Sequence, residues 1–94
     1  MALTTVTAVE NAKADLASRL DVDGEDIKGV SVTDREFPNT ALGAPLDGEL
    51  AAQMISSGWE IVLSANGDTY EYRADKYQLR LFDFEGSNYL LDIE

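Results

Sequence analysis

Apolar residues recur at spacings of three, four and four through Val9, Ala12, Leu16 and Leu20. That spacing marks one face of an amphipathic helix and predicts a helix over about residues 7–20. Thr7, with Glu10 three positions on, fits a capping box. Asn11, Asp15 and Ser18 fall away from the apolar stripe, with Lys13 and Arg19 at its edges. The chain then turns acidic from Asp21 to Asp26. Residues 27–35 alternate in part, Val30 and Val32 against Ser31 and Thr33, and predict a first strand.

Phe37-Pro38 to Asp47-Gly48 holds both prolines and reads as a long loop. Residues 49–56 suit a short helix and an extended approach equally well. Beyond them the period changes to two. Trp59, Ile61 and Leu63 share one face of a strand over 58–64. Asn66-Gly67 is a strong hairpin signal, because a type I′ turn needs positive φ at both positions. Strands are predicted over 68–74, 77–84 and 88–93, with turns at Ala74–Lys76 and Glu85–Asn88.

Turns this closely spaced describe an antiparallel meander, and neither a lone helix nor a lone hairpin is stable in water. The expected fold is therefore α+β: one N-terminal helix packed on a four- to five-stranded antiparallel meander sheet, a single domain over residues 1–94. Trp59 is expected under the helix with Ile61 and Leu63. Leu79 and Leu81 face one side of the sheet, and Phe82 and Phe84 the other. One helix covers one face, so an apolar patch of the second face is expected to be exposed, as a surface for a partner or a homodimer.

Composition narrows the chemistry. The chain has 94 residues, a formal charge of −11, no cysteine and no histidine. These absences exclude disulfides, thiol nucleophiles, Ser-His and Cys-His triads, and ordinary zinc, copper and haem sites. Seven basic residues against eighteen acidic ones argue against direct nucleic-acid binding. No segment approaches the roughly 20 apolar residues of a membrane span, and the N-terminus lacks the features of a signal peptide. The expectation is a cytoplasmic protein with no cofactor and no membrane contact.

Carboxylates are the remaining candidates for chemistry. If Gly24 took the sixth place of a calcium loop, Arg19 would stand at its first position and Val30 at its last, so the acidic turn reads as solvated charge. Asp83 with Glu85, or Glu60 with Glu71, are acid pairs, but general acid–base work needs a cleft that a small domain rarely holds. No enzymatic activity is expected.

Phe37-Pro38-Asn39-Thr40-Ala41-Leu42-Gly43-Ala44-Pro45, then Gly58-Trp59-Glu60-Ile61-Val62-Leu63 and Gly67-Asp68-Thr69-Tyr70-Glu71-Tyr72-Arg73-Ala74-Asp75, carry a resemblance. Over roughly residues 10–82 the chain resembles a family of small, mostly uncharacterised bacterial and archaeal proteins loosely labelled PepSY-like. Its members run helix, strand, a W-P-[DN]-x-x-L-G-C-P-x-P-G loop, then G-[YW]-x-I-V-L and G-x-x-Y-E-Y-[HR]-x-D. Here the family tryptophan is Phe37, the loop cysteine Ala44, the second loop proline Asp47, and the histidine after Tyr-Glu-Tyr Arg73. A second family cysteine has given way to Leu81-Phe82. The resemblance implies a fold and a disulfide that a reducing compartment can dispense with, but no catalytic residue.

The expected function is a small acidic non-enzymatic interaction module with a protein partner, a basic one being the natural match for its charge. The alternative is an acidic inhibitor, acting as a nucleic-acid mimic or through a rigid loop that blocks a peptidase. The candidate interaction residues are Pro38, Asn39, Leu42, Gly43, Ala44 and Pro45 in the loop, with Tyr72, Phe82 and Phe84 on the sheet.

Overall fold

A computed structural model describes residues 3–91. Helix α1 (Thr5–Leu20) is followed by a single 3-10 turn at Gly24–Asp26 and five strands: β1 (Lys28–Phe37), β2 (Ser56–Ala65), β3 (Asp68–Ala74), β4 (Leu79–Phe84) and β5 (Ser87–Leu90). The strands lie in the order β1-β2-β3-β4-β5, every neighbour antiparallel. This is the α+β arrangement expected, with all five strands in one meander.

The helix starts two residues before the predicted position, for a local reason. The Thr4 hydroxyl accepts from the Thr7 N–H at 3.2 Å, and the Thr7 hydroxyl accepts from the Thr4 N–H at 2.8 Å. Thr7 thus closes a capping box rather than opening one with Glu10. The helix ends at Asp21, whose positive φ of 55° turns the chain and aims its N–H back at the Ala17 and Ser18 carbonyls.

Ala8, Ala12 and Leu16 form the fully buried stripe of α1, with Val9 and Leu20 half-buried beside it. The two alanines let the helix lie close on Ile61, Leu63, Tyr72, Leu79 and Leu81. This rotates the helix relative to its predicted face and brings Asp15 toward the sheet. The Tyr72 hydroxyl donates to Asp15 at 2.7 Å, and Arg19 donates to the same carboxylate at 2.7 Å. Burial, then the Asp15 carboxylate, pushes the Tyr72 phenol above its usual range, so it remains a donor.

Asn66 and Gly67, with φ of 54° and 86°, make the β2–β3 hairpin as predicted. Strand β4 begins at Leu79 rather than at residue 77, because the Asp75 carboxylate accepts from the Tyr77 and Gln78 N–H groups and holds them in a turn. Strand β5 ends at Leu90, and residues 92–93 of the predicted last strand lie outside the described residues. Residues 49–55 form no helix, and the chain runs through them without regular structure into β2 at Ser56.

One face assignment is reversed. A bulge between Leu81 and Phe84 places one extra residue in β4, with Asp83 at a φ of 52°. Phe84 therefore joins the helix-side core beside Tyr70 and Tyr89, while Phe82 stays on the opposite face. Trp59 packs against the same core but is only half-buried, not enclosed as expected.

Candidate functional site

The loop singled out in the sequence folds down onto the sheet face opposite α1. Phe37, Ala41, Leu42 and Ala44 are buried there. Asn39 organises its tip, its side-chain oxygen accepting from the Ala41 and Gly43 N–H groups at 3.0 Å each. Leu42 is held at a φ of 57°, uncommon for a bulky residue.

Side chains of the sheet and of the β3–β4 turn clamp the loop through its carbonyls. Arg73 donates to Leu42 at 3.0 Å, Gln78 to Thr40 at 2.8 Å, Arg80 to Ala44 at 3.1 Å, and Asn88 to Pro45 at 3.0 Å. Arg80 also grips the Glu49 carboxylate through both terminal nitrogens, at 2.6 and 2.8 Å. The Arg80 hydrogen bond, helped by the Leu46 N–H, lowers the Glu49 carboxyl from 4.5 to about 2. Arg73 and Arg80 are among the most buried polar residues, and the loop is what covers them. A Cβ at Gly43 would come 2.7 Å from Arg73 Nη1, so glycine gives that clamp its room.

The candidate interaction residues accordingly separate. Leu42, Ala44 and Tyr72 are buried and present no side chain to a partner. Asn39 and Gly43 are half-buried and occupied within the loop, and Phe84 lies in the helix-side core. Pro38 and Pro45 are exposed. Phe82 is half-buried beneath the Arg73 guanidinium, 3.7 Å from its ring centre. The expected bare apolar face is thus covered partly by the loop and partly by charge. Arg35 pairs with Glu60 and lies 3.7 Å from Glu71, and Glu71 pairs with Arg73 at 2.6 Å. Glu60 and Glu71 therefore serve as partners of arginines and not as a free carboxylate pair. Among the described residues, no cluster of acids is arranged to hold a metal ion.

An exposed apolar surface lies between α1 and the edge strand β1. Every residue of β1 except Phe37 is exposed. A groove of about 480 Å³ is lined by Thr5, Val6, Val9, Glu10, Val32 and Asp34. It shares Asp34 with a cleft of about 490 Å³ that includes Glu36, Trp59 and Asp75. Val6 and Val32 remain 66% and 46% exposed, so the apolar floor is wet. Glu10 and Asp34 give the groove an acidic rim, and the adjoining cleft carries Glu36 and Asp75 beside Arg35 and Lys76. The sequence carried one usable signal here: alternating valines in a strand otherwise rich in exposed charge, the pattern of a sheet edge.

A second concentration of charge sits at the other end of the molecule. Leu20, Asp68, Asp83 and Glu85 line one shallow depression, and Asp21 follows Leu20 directly. The chain belongs to the DUF8738 family, a domain of unknown function. The DUF8738 match covers residues 9–81, and so takes in most of α1, the clamped loop, the first three strands and the start of β4. No curated protein and no solved structure matches the chain. DUF8738 carries no assigned activity, so it transfers no role to any residue, and the PepSY-like resemblance gains nothing from it.

Proposed function

We propose that this chain is a small acidic protein-interaction module without enzymatic activity, acting in the cytoplasm on a basic protein partner. The observation that carries this reading is the exposed apolar groove between α1 and β1 with its acidic rim. An apolar floor with Glu10 and Asp34 at its edge suits a surface that is both apolar and cationic. The loop supports a peptidase inhibitor poorly, because Leu42 and Ala44 are buried against the sheet instead of projecting. Acids gathered around Asp21, Asp68, Asp83 and Glu85 favour a second reading, imitation of a nucleic-acid backbone.

Affinity capture from the native host tests both, using the wild-type chain beside a Val32→Lys/Asp34→Lys double variant. The module reading expects a protein retained by the wild type, lost with the variant and released as NaCl rises from about 0.1 to 0.5 M. Capture of a nucleic-acid-binding protein equally by both forms, with release by added DNA or RNA, would move the assignment to the mimic. No salt-sensitive partner at all would overturn both.

A further inference from the structure

We propose that the groove takes an extended cationic segment of the partner, which adds to β1 as a sixth strand. The inference rests on the interaction-module reading and goes further in naming the occupant and its pairing. Strand β1 is hydrogen-bonded to β2 from Lys28 to Phe37 and stands at the edge of the sheet, so among the described residues its outer edge has no strand partner. Ten residues make it one of the two longest strands, whereas the opposite edge strand, β5, has four. Free backbone N–H and C=O groups on such an edge are a template for another strand. Charge at Asp34, Arg35 and Glu36 guards this edge against a like strand, and the two helix-side acids among them favour a cationic one. The register shift lies at the start of the strand, between Gly29 and Ser31, and from Ser31 to Phe37 the pairing is regular and free of proline.

Side-chain register defines the occupant. Val32 lies opposite Ile61 and Asp34 opposite Trp59, so both project to the helix side of the sheet, and Glu36 follows them by alternation. An antiparallel strand beside β1 would therefore place, on its helix side, cationic residues next to Glu36 and Asp34. An apolar residue would follow next to Val32, against Val6 and Val9 of the helix. A second copy of this chain fits badly, because each copy brings a formal charge of −11 to the contact.

The test uses the blocked peptide Thr-Lys-Thr-Lys-Thr-Val-Thr and the intact chain, with binding followed by fluorescence anisotropy and by amide exchange across β1. Saturable binding is expected, with new protection at residues 31–37. Full N-methylation of the peptide, which removes its backbone donors, should abolish binding. Val32→Lys and Asp34→Lys should each weaken binding at least tenfold, while Asp68→Lys, the same charge change at the far end, should alter it less than about threefold. Each site is exposed, and thermal melts would check that each variant folds. Equal loss with Asp68→Lys, undiminished binding of the N-methylated peptide, or no saturable binding would overturn the proposal. So would a wild-type dimer dispersed by Val32→Lys, which would make a second copy the occupant. These failures leave the module reading standing if host capture still yields a salt-sensitive partner. Absence of that partner would remove the module reading separately.

Discussion

Gly58 shows how one missing side chain positions two strands. A Cβ there would collide with the Ala74 carbonyl oxygen of β3 and sit 3.3 Å from the Phe37 ring. Backbone cannot yield as a flexible side chain can, so Gly58→Ala should destabilise the chain by about 2 kcal/mol, read from urea midpoints. Trp59, its neighbour, makes the opposite point. It is half-buried and lines a cleft, so Trp59→Ala should cost about 2 kcal/mol, below the roughly 3–5 kcal/mol of an enclosed aromatic ring. A cost in the upper range would mean the indole is sealed under α1. The indole emission maximum gives an independent check: partial solvent contact places it between the extremes of a dry and an exposed ring.

At the level of elements, the clamped loop links packing to pH. The Glu49 carboxyl has a folded value near 2 against 4.5 unfolded, so its ionised form stabilises the fold. That stability is fully present above about pH 4.5 and is lost as pH falls toward about 2. Glu49→Gln should therefore lower stability by about 1–2 kcal/mol near neutral pH, with the two chains converging in strong acid. Parallel acid titrations of melting temperature would show it, and a constant gap down to pH 2 would contradict it. The loop is also where sequence periodicity stopped being informative. Alternation revealed the hairpin at Asn66-Gly67 and the meander, because those are local patterns. It did not reveal that Phe37, Ala41, Leu42 and Ala44 cover the far side of the sheet, since a segment without a period has no readable face. Nor did it reveal the bulge at Asp83. An aspartate tolerates positive φ, yet nothing in its type announces that it will adopt one, and the reversal of Phe84 follows from that single residue. The groove was missed for a related reason: the valine alternation was visible, but which strand would stand at the edge was set by the order of the whole sheet.

For the molecule as a whole, charge sets the conditions under which it is most stable. A formal charge of −11 on a chain this small opposes compaction by self-repulsion. Moderate NaCl should screen that repulsion and raise the melting temperature by about 2–4 °C before any salt-specific effect appears. An unchanged midpoint between about 0.05 and 0.3 M NaCl would show that the acids are spaced widely enough not to interact.

The four arginines give that charge a further property. Arg19, Arg35, Arg73 and Arg80 each hold a carboxylate, and two of them also fasten the loop. Lys13, Lys28 and Lys76 take part in none of these ion pairs. The two kinds of cation thus divide the labour: the arginines make the ion pairs, and the lysines, Lys28 and Lys76 exposed and Lys13 half-buried, stay outside them. Acetylating the lysines would make the chain three charges more negative and leave every one of those pairs in place. The net charge can therefore be tuned at the lysines without disturbing the scaffold that carries it.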